Sequence, residues 1–231
     1  MTRYSRNIMV FGEEGQAKIC AARVLVCGAG GLGSTVLANL AALGVGTIGI
    51  VDNDVVELSN FNRQYIHKDL GKAKVASAKE FINAFNPEIA VNTYPLQLNH
   101  ENYADIVKDY DFFIDCFDSF ESKFLLNDIA VKMGKPLIHG GVTEFGGQVM
   151  VIIPGKTACL RCILQEVEEQ PVKGVVSPAV TTIASIQSVE ALKLILGLNT
   201  FTPLLCYNGL DMTFKKLNIE RNEKCLICKN I

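Results

Sequence analysis

The segment that decides the fold is an apolar run followed by a glycine cluster, Arg23-Val24-Leu25-Val26-Cys27-Gly28-Ala29-Gly30-Gly31-Leu32-Gly33. The apolar run is typical of a buried parallel strand, and the glycines match the pattern G-x-G-x-x-G. A helical pattern follows over 34–43 and ends at Gly44, a residue suited to a left-handed helix cap. Glycines at such a turn let backbone amides approach a phosphate at the positive end of the helix. The segment therefore predicts the first β-α unit of a nucleotide-binding sheet.

Strand-like and helical segments alternate through the first 140 residues. The patterns predict strands over 47–51, 89–94, 111–116 and 137–139, and helices over 72–85 and 120–133. This order predicts an α/β fold with a Rossmann-like, doubly wound and mostly parallel sheet. The last third predicts strands over 148–153, 204–207 and 214–219 and a long helix over 178–196. We interpret these as antiparallel strands and one helix that extend the same sheet.

Composition narrows the class of protein. The chain has 231 residues, 49% hydrophobic and 20% charged, which favours one well-packed domain over 1–231. The net charge of -2 gives no global attraction to nucleic acid or to an anionic membrane. No signal peptide is evident, and polar residues interrupt the most apolar long segment, 175–198. We expect a cytoplasmic protein with no membrane span.

Polar residues after the second predicted strand favour a nucleotide with several phosphates. Asp52, 19 residues beyond Gly33, is placed to bind ribose hydroxyls. Arg63 and Lys74 would suit a triphosphate, and Asp118, just past the strand 111–116, would suit Mg²⁺. The alternatives are a solvated helix face for Lys74 and its neighbour Lys72, and a helix N-cap for Asp118. The glycine pattern alone does not separate NAD from ATP.

The eight cysteines divide by their spacing. Cys159 and Cys162 form one C-x₂-C pair, and Cys225 and Cys228 form a second, with 62 residues between the two pairs. Four thiolates can close a tetrahedral Zn²⁺ site, with no open position for catalysis. Two independent redox dithiols are the alternative. The other four are expected to be buried small hydrophobic residues: Cys20, Cys27, Cys116 and Cys206.

Taken together, the motifs resemble the ThiF/MoeB/HesA family, relatives of the ubiquitin-activating enzymes, over essentially the whole chain. The motifs that carry the resemblance are residues 3–7, 28–33, 51–54, 59–64, 71–74 and 115–118 and the two C-x₂-C pairs. The resemblance implies an adenylyltransferase, typically a homodimer, that uses ATP and Mg²⁺ and releases pyrophosphate. Its substrate would be the C-terminal glycine carboxylate of a small ubiquitin-like sulfur-carrier protein ending in Gly-Gly. The pathway would be thiamine, molybdopterin or related biosynthesis.

The resemblance also implies roles for individual residues. Arg6 would reach the ATP site of the partner subunit, and Asp118 would position Mg²⁺. Arg6, Arg63, Lys74 and Asp118 would be the catalytic residues. The nucleotide would be bound by the following residues: Gly28, Gly30, Gly31, Gly33, Asp52, Asp54, Ser59, Asn60, Asn62, Arg63, Lys74 and Asp118.

Two departures from the family pattern matter. Ser119 stands where many relatives have Asn, and the segment 163–177 has no cysteine. The resemblance therefore implies an enzyme that only adenylates and that hands its acyl-adenylate to a separate sulfur donor, such as a cysteine desulfurase. The polar loop over 164–176 would fold over the carrier's tail, or else is an ordinary surface loop.

Three other functions compete with this interpretation. The glycine loop and Asp52 would also suit an NAD-dependent oxidoreductase. That function leaves the cysteine pairs and three cations unexplained, namely Arg6, Arg63 and Lys74. A tRNA-modifying adenylyltransferase of the same family is the closer alternative. The third is a non-catalytic binding protein whose fold is held together by zinc. The presence of Arg63, Lys74 and Asp118 argues against it.

Overall fold

The computed structural model describes residues 2–164 and 174–229. Within them, eight strands form one sheet in the order β3-β2-β1-β4-β5-β6-β7-β8. The first five strands are parallel, and the last three are antiparallel to their neighbours. The strands are β1 (Arg23–Cys27), β2 (Thr47–Val51), β3 (Ala90–Tyr94), β4 (Phe112–Asp115), β5 (Leu137–Thr143), β6 (Gly146–Ile152), β7 (Leu204–Asn208) and β8 (Thr213–Leu217). The predicted doubly wound sheet with an antiparallel extension is confirmed.

The helices cover both faces of this sheet. They are α1 (Ser5–Ala21), α2 (Gly31–Leu43), α3 (Lys74–Phe85), α4 (Tyr103–Val107), α5 (Phe120–Met133), α6 (Leu160–Ile163) and α7 (Ser177–Leu196). Sequence patterns did not predict α1, α4 or α6. Gly12, at φ 72°, kinks α1 and breaks its periodicity. The short α4 lies in the connection that crosses from β3, at the sheet edge, to β4 beside β1.

Two apolar layers pack against the sheet, one on each face. One layer joins alternate side chains of β1 and β2 to helices α1, α2, α3 and α7. The other joins the opposite set, including Leu25 and Phe113, to α4 and α5 and to Cys159, Cys225 and Cys228. Alternation along each strand assigns successive side chains to opposite layers.

Helix α7 is the one helix of the described residues that is long and apolar enough to cross a membrane. It instead packs against α2, β5 and β6, and it buries the polar side chains of Gln187 and Glu190. Its place in the fold is that of a core helix. Its bounds agree with the predicted range to within a residue.

The topology brings three chain segments together at the carboxyl ends of the parallel strands. In the register of β1, Cys27 lies opposite Val51 of β2 on one side and Asp115 of β4 on the other. The chain first adds strands on one side of β1 (β2, then β3) and later on its other side (β4, then β5). Such a switch point leaves a crevice beyond the carboxyl ends of the strands. The glycine loop, Asp52 and the turn at 116–119 all begin at this crevice.

Candidate active site

The glycine loop turns tightly between β1 and α2. Gly28 has a φ of +100°, and a Cβ there would lie 2.5 Å from the carbonyl oxygen of Cys116. A Cβ on Gly33 would lie 2.0 Å from the carbonyl oxygen of Gly28. These two glycines are required by packing. Gly30 and Gly31 instead face side chains, those of Gln64 and of Arg63 and Val180, so they shape the surface that a nucleotide would meet.

Asp52 and His67 fix the loop residue Ala29 from two sides. The Ala29 amide donates to Asp52 Oδ2 at 2.7 Å, and the Asp54 amide donates to Asp52 Oδ1 at 2.8 Å. His67 Nε2 donates to the Ala29 carbonyl at 2.8 Å. Burial raises the pKa of Asp52 and lowers the pKa of His67, which favours the neutral imidazole. Both polar atoms of the Ala29 backbone are thus held by buried side chains.

Two cations flank the loop. Lys74, the first residue of α3, donates from Nζ to Asp54 Oδ2 at 2.7 Å, and its side chain is only 8% exposed. Arg63 Nη1 donates to the Ser59 carbonyl and to Asn62 Oδ1, both at 2.9 Å. The Arg63 aliphatic carbons lie 3.7 Å from where a Cβ of Gly31 would stand. The structure therefore brings both predicted cations to the loop.

Neighbouring polar residues have different roles. Asn60 is buried, and its Oδ1 accepts from the Glu57 amide at 2.9 Å, so this side chain shapes the turn at Leu58–Asn60. Ser59 is exposed beside it. Lys72 pairs with the surface acids Asp69 and Glu80 instead of facing the loop. Of the two lysines, only Lys74 lies within the loop's surroundings.

Asp118 lies in the turn between β4 and α5. Its side chain is exposed, and the helix cap is its neighbour Ser119, whose Oγ accepts from the Ser122 amide at 3.2 Å. The alternative that Asp118 caps α5 is therefore wrong. Because β4 adjoins β1, this turn and the glycine loop leave the same edge of the sheet.

Arg6 lies at the other end of the fold. It is exposed on α1, two residues after Tyr4, whose ring packs on Gly44 at the far end of α2. The thirteen residues of α2 span roughly 20 Å at 1.5 Å per residue. Within one chain the structure does not bring Arg6 to the glycine loop.

A buried charged network lies beneath the turn at 116–119, and sequence reasoning missed it. Asp115 Oδ2 accepts from His139 Nδ1 at 2.7 Å, and both Asp115 oxygens lie 3.3 Å from Lys123 Nζ. Lys123 also donates to the Gly140 carbonyl at 2.6 Å. An acid at the end of an apolar strand was the one available signal. The other two residues belong to α5 and β5, and no sequence spacing joins them.

The four cysteines of the C-x₂-C pairs meet in space. Their Sγ atoms all lie within 4.8 Å of one another, and close pairs are 3.3 Å (Cys162 and Cys228) and 3.7 Å (Cys159 and Cys225) apart. Tetrahedral thiolates at 2.3 Å from Zn²⁺ would be about 3.8 Å apart. Burial raises the pKa of Cys228 to about 11. A divalent metal such as Zn²⁺ fits this donor set, because the sulfur spacing is close to that of tetrahedral coordination by four cysteines.

The sequence of this chain matches a known family of proteins over nearly its whole length. A model of the ThiF family matches residues 4–227. The chain belongs to the ThiF family.

The ThiF relatives include named adenylyltransferases. The chain is 38% identical to the sulfur carrier protein adenylyltransferase of Thermus thermophilus, over 99% of this chain and 90% of that protein. It is 37% identical to the SAMP-activating enzyme E1 of Haloferax volcanii, over 99% and 88% of the two chains.

Among solved structures, that of E. coli MccB with ATP has the same fold. It superposes with a TM-score of 0.89, covers 99% of this chain and 75% of the MccB chain, and is 24% identical. The likeness supports the ThiF fold described above. Most of the predicted loop at 164–176 lies outside the described residues.

Proposed function

We propose that this chain is an ATP-dependent adenylyltransferase that activates the C-terminal glycine carboxylate of a small ubiquitin-like sulfur-carrier protein. The observation that carries the proposal is that Asp52, Arg63 and Lys74 lie around the glycine loop, at the carboxyl ends of the parallel strands. Its setting is a ThiF-family chain with relatives named as adenylyltransferases. Residues 1–231 would act as one adenylation domain.

The nucleotide would lie along the glycine loop. Gly30 and Gly31 add no side chain of their own to the loop surface, and the first amides of α2 offer donors to phosphate oxygens. Asp52 already accepts two backbone amides. Its remaining lone pairs are left for ribose hydroxyls. Gly28 and Gly33 support this surface by close packing without needing to touch the ligand.

The proposed reaction is an in-line attack of the carrier's carboxylate on the α-phosphorus of ATP. A bond forms between a carboxylate oxygen and this phosphorus, and the bond to pyrophosphate breaks. No general base is needed, because a glycine carboxylate is ionised at neutral pH. Arg63 and Lys74 would stabilise the added negative charge, and the enzyme's main task is positioning. Lys74 is suited to this task because Asp54 already fixes its ammonium.

The same site would hold Mg²⁺ through Asp118. An exposed carboxylate at the crevice fits an ion that takes one or two protein carboxylates and completes its shell with phosphates and water. When bound, Mg²⁺ would neutralise phosphate charge. Ser59 and Asn62 would contribute polar contacts near the phosphates. Asn60 would act through the turn that it shapes.

Arg6 requires a second copy of the chain. Its exposed place beyond the far end of α2 supports a role in the partner's ATP site, so the proposal includes a homodimer. The cysteine cluster would hold structural Zn²⁺, in keeping with a reducing cytoplasm. A separate sulfur donor, such as a cysteine desulfurase, would receive the acyl-adenylate for thiamine, molybdopterin or related biosynthesis.

Pyrophosphate exchange tests the proposal. The protein, ATP, Mg²⁺ and labelled pyrophosphate are incubated with carriers that end in Gly-Gly, and labelled ATP is measured. We expect exchange that depends on the carrier and that is lost when the terminal glycine is removed. Exchange driven by tRNA would favour the tRNA-modifying alternative. No exchange with any carrier, together with hydride transfer from NADH, would overturn the proposal.

A further inference from the structure

We propose that Lys123 and His139 are positioning residues that act through Asp115 to hold the turn that carries Asp118. The inference rests on the proposed function, since it concerns the carboxylate to which that function assigns Mg²⁺. It is carried by a buried network that joins β4, α5 and β5 directly beneath this turn.

Asp115 ties the turn to the sheet. It is the last residue of β4, and its Oδ1 accepts from the Phe117 amide at 3.1 Å, within the turn itself. Its backbone carbonyl accepts from Gln187 Nε2 of α7 at 2.8 Å. At the other end of the turn, Ser119 caps α5. The turn is therefore fixed on both sides of Asp118.

The Asp115 carboxylate is in turn fixed by two further elements. Asp115 is fully buried, and the side chains of Lys123 and His139 are 8% and 4% exposed. His139 donates from Nδ1 to the carboxylate, while its Nε2 accepts from Gln148 at 3.2 Å. Lys123 spans from the carboxylate to the carbonyl of Gly140. Each donor thus reaches the acid from a different element.

The charge balance shows why removing one partner should move the turn. Burial alone would raise the pKa of Asp115, but Lys123 and His139 hold it below its usual range. Without Lys123 the buried carboxylate has neutral donors only, and a buried unpaired charge is costly. The carboxylate must then take up a proton or turn away. In either case the acceptor for Phe117 weakens, and Asp118 loses its fixed place.

A second acid-lysine pair provides a matched control. Lys193 donates from Nζ to the buried Glu190 at 2.6 Å, near the end of α7. It lies six residues beyond Gln187, or about 9 Å further along the helix. The change Lys193→Met therefore removes the same kind of ion pair away from the turn.

The experiment compares Lys123→Met, Lys123→Arg and Lys193→Met in the full-length protein. Mn²⁺ binding is titrated by electron paramagnetic resonance in the presence of a non-hydrolysable ATP analogue, so the readout does not depend on turnover. We expect Lys123→Met to weaken Mn²⁺ binding at least tenfold and to raise the Mg²⁺ requirement of pyrophosphate exchange by a similar factor. Lys123→Arg should restore most of the affinity. Lys193→Met should change neither the Mn²⁺ affinity nor the Mg²⁺ requirement more than twofold, whatever thermal stability it loses.

A second pair of variants keeps the test valid if Lys123→Met does not fold. His139→Asn retains an amide donor toward Asp115, whereas His139→Leu removes it, so Mn²⁺ affinity should fall further in the leucine variant. Equal Mn²⁺ affinities in Lys123→Met and Lys193→Met, or in the two His139 variants, would overturn the inference. Asp118→Ala separates the two proposals. Normal Mn²⁺ binding in Asp118→Ala would refute the assigned Mg²⁺ site itself. Weakened Mn²⁺ binding in Asp118→Ala together with normal binding in Lys123→Met would refute only the positioning role.

Discussion

Loss of the proposed zinc ion from the cysteine cluster should destabilise the fold without altering the glycine loop and its surroundings. The double variant Cys225→Ser, Cys228→Ser removes the two C-terminal ligands, so the C-terminal segment is no longer linked through the metal to Cys159 and Cys162. In each contacting pair, Cys159 with Cys225 and Cys162 with Cys228, the two cysteines are 66 positions apart in the sequence. By the chain-entropy relation for a cross-link, closing a loop of this length is worth about 4 kcal/mol at 25 °C. For 231 residues, an unfolding entropy of about 2.1 cal/mol/K per residue converts this loss into a Tm lower by roughly 8 °C.

The assay is thermal unfolding by circular dichroism, together with metal analysis. We expect one zinc ion per chain in the wild type, none in the double variant, and a Tm lower by the stated amount. Cys20→Ser is the matched control, because Cys20, contrary to the prediction that it is buried, is an exposed free cysteine outside the cluster. Well below its Tm, the double variant should retain carrier-dependent pyrophosphate exchange. A wild type that unfolds at the same temperature with and without a zinc chelator would refute the reasoning.

Three further predictions concern the loop and its surroundings. Lys74→Met should lower the rate of pyrophosphate exchange at least 100-fold. Lys72→Met should change that rate less than threefold, because Lys72 pairs with surface acids. Equal losses of exchange in the two variants would contradict the role assigned to Lys74. Gly33→Ala should lower the free energy of urea unfolding by about 3 kcal/mol, since its Cβ would meet the Gly28 carbonyl. Gly31→Ala should instead leave stability within about 1 kcal/mol and weaken ATP binding measured by calorimetry; the opposite order would be inconsistent with the packing. Burial lowers the pKa of His67, so the unfolded chain takes up its proton first. Stability should fall as pH drops below about 6.5, by up to about 1.4 kcal/mol per pH unit. Urea unfolding of His67→Gln should show a smaller slope, and an unchanged slope would exclude His67 as a source.

Much of the site was predictable because its parts are close in sequence. The strand, the glycines and helix α2 form one continuous segment. Asp52 follows the next parallel strand, and parallel neighbours end at the same edge of a sheet. The C-x₂-C spacing likewise indicates metal ligands before any contact is known. In each case a local pattern carries a geometric consequence.

The rest depends on contacts that no local pattern encodes. Asp115, Lys123 and His139 come from a strand, a helix and a further strand, and they meet only because β4 lies between β1 and β5. His67 lies in an irregular segment, where periodicity gives no signal. Helix α1 was missed because a kink at Gly12 interrupts its pattern.

The most direct test of the central claim follows oxygen atoms through the reaction. A sulfur-carrier protein with ¹⁸O in its terminal glycine carboxylate is incubated with the protein, ATP and Mg²⁺, and the activated carboxyl is trapped with hydroxylamine. Attack of the carboxylate on the α-phosphorus predicts AMP that carries one ¹⁸O atom, with unlabelled pyrophosphate. Label found in inorganic phosphate together with ADP, or unlabelled AMP, would contradict adenylation of the carrier.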